Sequence, residues 1–175
     1  MRHIAFAFTV LCALACMGAP PAGECPPGRA VVLVQVDYLF AEEHLHEIRA
    51  ALDAMGHLGP EFRLTRDPGA RVTLAPAVTD CASGYHFDVA SRTAYVDAYC
   101  APSPRAFRAM VAHTIGRAMG LKVVCFGDGK AACSPVGRDT AMMNELPATT
   151  TTDEGAWHDR PTELDVLEYA RSQEQ

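Results

Sequence analysis

The stretch A-H-T-I-G-R-A-M-G-L, residues 112–121, decides how this chain folds. It ends a segment that opens with Ser103-Pro104, and a serine followed by proline is a typical helix start. Apolar or small residues then recur at helical spacing, at Phe107, Met110, Val111, Thr114, Ala118 and Leu121. Gly120 stands where a helix ends in a left-handed residue. The pattern predicts a helix over residues 104–120, with His113, Arg117 and Gly120 on a face beside the apolar stripe.

The flanking segments indicate an α+β domain around that helix. Residues 31–36 are rich in valine and nearly all apolar, which predicts a buried strand. Residues 40–55 repeat apolar positions at helical spacing, which predicts a first helix. Further strands are predicted at residues 61–65, 71–74, 86–90 and 93–98, and a capping-box pattern predicts a last helix over residues 163–171. We therefore expect a small, mixed, twisted sheet with a first helix, a long second helix and a C-terminal helix.

Composition bounds the number of domains and the kinds of partner. The chain has 175 residues, of which 49% are hydrophobic, and this is enough for one compact domain with its own core. The formal net charge is −6, and no basic run occurs in the sequence. Because nucleic-acid binding needs a basic surface, we do not expect a nucleic-acid partner.

Residues 1–15 are typical of an export signal. Residues 4–14 are apolar but too few to span a bilayer, and Ala13-Leu14-Ala15 fits a small-x-small cleavage site. Residues 16–29 follow as a tether rich in proline and glycine, so the folded domain is expected over residues 30–175. The sequence therefore predicts a secreted or cell-envelope protein, in the bacterial periplasm or on the outer surface.

Cys16 directly follows that cleavage site and makes lipidation an open alternative to simple secretion. Residues 13–16 resemble a bacterial lipobox, although that pattern prefers leucine at the position of Ala13 and a small residue at that of Leu14. Contact with a membrane is expected only through such a lipid anchor.

The remaining cysteines predict disulfide bonds, because thiols pair in an oxidising compartment. Cys125 and Cys133 bracket a turn-forming stretch, and Cys81 and Cys100 flank a predicted hairpin. These two pairs are the candidates, and Cys25 is then left over. The spacing does not fix the connectivity, and no C-x-x-C pattern supports a cysteine zinc site.

Residues 112–121 resemble the metzincin helix A-H-E-(L/I)-G-H-A-(L/M)-G-L, part of the pattern H-E-x-x-H-x-x-G-x-x-H. Two more segments carry the resemblance. Residues 139–144 are similar to the Met-turn segment, with Met143 at its methionine, and residues 162–167 are similar to the helix that closes small matrixin-type domains. The resemblance covers about residue 31 to the C terminus. It implies a metzincin, or zincin-like, metallopeptidase fold.

The positions that depart from the metzincin pattern are those that bind zinc or act as the general base. His113 and Gly120 keep their positions, whereas Thr114 replaces the glutamate, Arg117 the second histidine and Val123 the third. A catalytic zinc needs three protein ligands, and a charged guanidinium offers no lone pair. Thr114 has no carboxylate to take a proton from a metal-bound water. With His113 as the only retained ligand position, we expect no metal, no cofactor and no catalytic residue.

Residues elsewhere in the chain leave zinc open as the alternative cofactor. A site rebuilt around His113 would draw on Cys125, which lies near the third-ligand position, or on His86, Asp128 and His158. Two such residues would have to converge on His113.

Other positions of interest are interpreted as structural. Glu43 and His46 have the i, i+3 spacing of helical metal sites, but a lone pair of this kind is typical of a solvated helix face. We interpret His113 as a histidine hydrogen-bonded in the interior or on the cleft floor, and Met143 as core packing. For Arg117 we favour an ion pair with an acidic neighbour over binding of a substrate carboxylate.

The sequence favours a secreted, catalytically inactive metallopeptidase-like domain that binds a peptide or protein at the cell envelope. A metzincin cleft holds an extended peptide beside an edge strand, which we expect at residues 93–98. Two alternatives stay open. One is a zinc-dependent metallopeptidase with unconventional ligands, and the other is a purely structural envelope domain.

Overall fold

The computed structural model describes residues 30–82, 84–122, 143, 146 and 149–173. Within these ranges the chain forms a five-stranded sheet and three α-helices, which confirms the predicted α+β class. The predictions for Cys16, Cys25, Val123, Cys125, Asp128 and Cys133 lie outside the described residues.

The sheet is mostly parallel. Its strands are β1 (Val31–Val36), β2 (Glu61–Thr65), β3 (Val72–Pro76), β4 (Tyr85–Asp88) and β5 (Thr93–Val96), in the order β2-β1-β3-β5-β4. β1 pairs in parallel with β2 and β3, and β3 with β5, whereas β4 runs antiparallel to β5. The two edges of the sheet are therefore β2 and β4.

This topology corrects the predicted edge strand. The sequence analysis placed the edge at residues 93–98, but β5 lies between β3 and β4 and pairs with both. Because β5 pairs with β3 on one side and with β4 on the other, β4 is left at the rim. The edge on this side is Tyr85–Asp88.

Of the three helices, the first two pack against the sheet and against each other, and the third contacts the short turn Gly56–Leu58 that follows the first. The helices are α1 (Glu42–Met55), α2 (Pro104–Ala118) and α3 (Glu163–Ser172). α2 contacts α1, β3, β4 and β5, and it buries most of its length. Most of its buried side chains are apolar because α2 contacts both the sheet and α1, and Met110 and Ile115 are fully buried. Burying a side chain of this size contributes about 1.5–3 kcal/mol.

Local signals in the sequence explain where α2 begins and ends. The Ser103 side chain accepts a hydrogen bond from the Ala106 N–H at 3.2 Å, and proline opens the first turn. At the other end Gly120 has a φ of 90°, which favours glycine. The Leu121 N–H then donates to the Gly116 carbonyl at 2.9 Å and closes the helix.

A disulfide joins Cys81, just before β4, to Cys100, just before α2. This confirms one of the two predicted pairs. It joins the segment before β4 to the segment between β5 and α2, and so links the two ends of the β4–β5 hairpin. Among the described residues, no helix is both long and apolar enough to cross a membrane.

Candidate functional site

His113 lies in the third turn of α2 under the edge strand β4. Its side chain is only 3% exposed, and its ring meets the ring of Tyr85 edge-on at 5.5 Å between centroids. The geometry follows from the strand alternation, which turns Tyr85 and Phe87 to the face of β4 that contacts α2. The histidine is thus an interior residue, as predicted.

Thr114, at the position of the metzincin glutamate, is fully buried. Its hydroxyl donates to the Met110 carbonyl at 2.6 Å, one turn earlier in the same helix. This bond satisfies a hydroxyl that would otherwise be buried without a partner. The side chain therefore stabilises its own helix.

Arg117, at the position of the second histidine, is fixed by two interactions. Its Nη1 donates to the Leu121 carbonyl at 2.8 Å, and its guanidinium carbon lies 4.7 Å from the centre of the Phe87 ring. The predicted ion pair is wrong for the described residues, because the cation is held by a carbonyl at the helix end and by an aromatic face instead. Both are favourable partners for a guanidinium.

Met143 packs beneath α2, at Gly116. An ideal Cβ on Gly116 would lie 2.6 Å from the Met143 Sδ, so any larger residue there would require the Met143 side chain to move. The Met143 N–H donates to the Asp165 Oδ1 at 2.8 Å, and the Asp165 Oδ2 accepts from the Thr162 N–H at 2.7 Å. Asp165 is fully buried and joins the start of α3 to the underside of α2. Core packing by Met143 and the capping box at Thr162 are confirmed.

The turn between β4 and β5 is fixed by Asp88, the last residue of β4. Its carboxylate accepts from the Ser91 hydroxyl at 2.7 Å and from the Ala90 N–H at 2.9 Å. The hydrogen bond from Ser91, together with that from Ala90, lowers the pKa of Asp88 below its ordinary value. Asp88 is a turn-forming carboxylate.

Of the other predicted ligands, the described residues His86 and His158 form no metal-binding group with His113, and Cys125 and Asp128 lie outside the described residues. His86 points to the opposite face of β4, where its ring stacks on Tyr95 at 4.3 Å. His158 lines a cavity with Arg105 and Arg108. Glu43 and His46 are exposed on α1, as predicted for a solvated face.

Among the residues that the structure describes, the donor set around His113 does not fit a catalytic zinc ion. The described residues supply one ligand from the motif, His113, and the side chain one helical turn later is a held cation. Ligand atoms of Cys81, Asp97 and Cys100 lie within 4.8 Å of one another, but the two sulfurs are joined to each other. A sulfur in a disulfide is not the thiolate that binds a metal.

Sequence reasoning missed the two aromatic residues that cover the site. Tyr85 and Phe87 alternate with His86 and Asp88 in Y-H-F-D, the period of a strand with one buried face. That alternation predicts which side chains meet α2 once the strand is known to lie above it. The partner, however, depends on the sheet order, which the sequence does not display.

Comparison with known proteins finds a similarity at the level of the fold. The solved structure of myroilysin, a metallopeptidase, is similar, with a TM-score of 0.53 and 11% sequence identity. The alignment covers 83% of this chain and 93% of that one. No protein-family model and no curated protein sequence matches the chain. The likeness is therefore one of fold: this chain has a distant metallopeptidase-like fold.

Proposed function

We propose that this chain is a degenerate metzincin-like domain that does not hydrolyse peptides and binds an extended peptide or protein segment along β4. We infer that it acts outside the cytoplasm, in the bacterial periplasm or on the cell surface, after removal of residues 1–15. The disulfide between Cys81 and Cys100 supports an oxidising compartment.

One observation carries the loss of catalysis, namely the fixed guanidinium of Arg117. A zinc ion bound by His113 would stand close to this cation, since residues four apart lie on one side of a helix. The hydrogen bond to Leu121 and the contact with Phe87 hold the charge in place. Thr114 adds no general base, because its hydroxyl is committed to Met110.

The edge strand supports the binding role. In an antiparallel ladder, hydrogen-bonded and non-bonded pairs alternate. The Asp97 N–H donates to the Gly84 carbonyl at 2.8 Å, which makes Gly84–Asp97 a bonded pair. By the alternation, Phe87 is opposite Ala94 in a non-bonded pair, so its N–H and carbonyl point away from β5. An extended peptide can pair with these groups.

Zinc content tests the catalytic half of the proposal. We expect the purified protein, with its disulfides formed, to hold no stoichiometric zinc and to cleave no peptide. The triple variant Thr114→Glu, Arg117→His and Val123→His restores the metzincin ligands and should bind one zinc. A folded triple variant that takes up no zinc contradicts the metzincin alignment. One tightly held zinc in the unaltered protein favours the enzyme with unconventional ligands.

Peptide capture tests the binding half. Immobilised protein should retain peptides from a random library, and Phe87→Pro should abolish retention because it removes an N–H that points outward. Phe87→Ala is the matched control, since it removes the ring and keeps the N–H. Retention by the alanine variant and loss by the proline variant supports pairing along β4. If the unaltered protein retains no peptide, the result contradicts the binding role and favours a purely structural one.

A further inference from the structure

A cavity lies near the opposite edge of the sheet from β4, at the strands β1 and β2. It has a volume of about 630 Å³ and opens where β1 and β2 end. Its floor includes Gln35 and Val36 of β1 and Leu64 of β2, and α1 forms a wall through Leu45 and Arg49. Crevices outside the carboxyl ends of parallel strands are common ligand sites in α/β sheets. This volume is in the range of small-molecule sites.

Two cations face this cavity. Arg49 of α1 and Arg66, which follows β2, both line it, and neither lies within 4 Å of a carboxylate among the residues that the structure describes. By contrast, Arg63 on β2 is paired with Glu61 at 2.6 Å. The one acidic residue in the lining is Asp37, whose Oδ1 accepts from the Leu39 N–H at 2.9 Å. The cavity thus has a net charge of +1 in a chain of net charge −6.

The rest of the lining is apolar with a few polar groups. Val36, Phe40, Leu45 and Leu64 supply apolar surface, and the Tyr38 ring lines the cavity and is 89% exposed. The Thr73 hydroxyl and the Gln35 side chain, 3.5 Å apart, supply hydrogen-bonding groups. A ligand that satisfies both kinds of surface has an anionic end and an apolar body.

We propose that this cavity binds a small organic carboxylate, with the carboxylate between Arg49 and Arg66 and an aryl or short acyl body against the apolar wall. Guanidinium groups match the planar carboxylate with two parallel hydrogen bonds. Inorganic phosphate would leave the apolar wall against water, and a neutral ligand would leave both cations without a partner. This site is separate from β4 and does not depend on the function proposed above.

Benzoate is a suitable probe, and its binding can be followed by NMR on the full chain. We expect benzoate at about 10 mM to shift the amide signals of Val36, Asp37 and Arg66, with little change near Phe87. Arg49→Gln and Arg66→Gln should each weaken binding about tenfold. Arg71→Gln is the matched control, because Arg71 lies in the same connection between β2 and β3 without lining the cavity. It should change the affinity by less than about twofold.

Two ligand controls test the chemical class. Benzamide, which keeps the ring and lacks the charge, should bind far more weakly than benzoate, and so should inorganic phosphate. Benzoate that leaves these amides unshifted, or that loses as much affinity in Arg71→Gln as in Arg66→Gln, overturns the site. Phosphate that binds as tightly as benzoate, with the same dependence on Arg49 and Arg66, overturns the assignment to an organic carboxylate.

Discussion

Replacing Gly116 by alanine tests how closely the segment at Met143 packs under α2. A Cβ at this position would lie 2.6 Å from the Met143 Sδ, 3.3 Å from its Cε and 3.3 Å from the Leu121 Cδ1. Non-bonded heavy atoms attract best at about 3.5–4.0 Å, so the sulfur would have to move by about 1 Å. Met143 is fully buried and its N–H is bonded to Asp165, which leaves the side chain little room to move.

Two opposing effects set the size of the change. Alanine in a helix interior is more favourable than glycine by about 1 kcal/mol. Overpacking of a buried site costs about 1–3 kcal/mol. With a middle value of about 2 kcal/mol for the steric effect, we expect Gly116→Ala to lower the free energy of unfolding by about 1 kcal/mol. Helix propensity alone predicts the opposite sign.

Urea unfolding of a double-mutant cycle measures the effect. Met143→Val removes the Sδ and Cε atoms that meet the new methyl group. In that background Gly116→Ala should raise the free energy of unfolding by up to about 1 kcal/mol, which gives a coupling of about 2 kcal/mol. If Gly116→Ala stabilises the unaltered protein, or if the coupling is near zero, the close approach of Met143 to α2 is refuted.

Replacing Cys81 and Cys100 by serine should lower the free energy of unfolding by about 3 kcal/mol, because the disulfide spans a separation of 19 residues; urea unfolding checks this. Asp165→Asn should cost about 2 kcal/mol by the same assay, since one of its oxygens becomes an NH2 group facing a donor, and an unchanged midpoint would argue against that contact. The lowered pKa of Asp88 means that its stabilising effect is present above the ordinary pKa of 3.8 and is lost as the pH falls through the lower folded value. Ser91→Ala should raise the pKa of Asp88 in an NMR titration, and an unmoved pKa would exclude the hydroxyl as its main cause.

The helices could be predicted because their ends are local events. The Ser103 cap, the stop at Gly120 and the capping box at Thr162 each involve residues only a few positions apart. The prediction for α2 ran two residues too far, since Met119 and Gly120 form its cap rather than its last turn. The ends of these helices are set by hydrogen bonds between near neighbours, so the residue types at those positions predict where each helix begins and ends.

The order of the strands could not be read in the same way. The sequence gives β4 and β5 as a hairpin but does not say which of them joins β3. Which strand pairs with β3 depends on tertiary packing, because the internal strand is buried on both of its faces. Thr93, Ala94 and Val96 of β5 are all buried, whereas the β4 residues are half-buried or exposed. Burial on both faces suits an internal strand. In the sequence, T-A-Y-V of β5 has no charged residue or histidine, whereas Y-H-F-D of β4 has both, and this difference would have favoured β4 as the edge.

The candidate site was predictable in its positions and not in its contacts. Counting along the motif assigns Thr114 and Arg117 to the general-base and second-ligand positions, and this assignment stays a prediction. The chemistry of the two side chains argues against zinc binding there. The partners of Arg117 depend on tertiary structure, since Phe87 is 30 positions away in sequence. An ion pair was the expected partner because opposite charges attract. Here an aromatic face and a helix-end carbonyl hold the same cation.

The contacts that stabilise α2 explain how this metallopeptidase-like fold is maintained with an arginine at position 117. Its start is capped by Ser103, its end closes at Gly120, and Met143 fills the space beneath Gly116. All of these are made by groups of the chain itself. Arg117 even adds to them, because its bond to Leu121 satisfies a carbonyl just past the helix end. In the function proposed above, Arg117 takes the place of a zinc ligand, and its contacts at the helix end then contribute to the stability of α2.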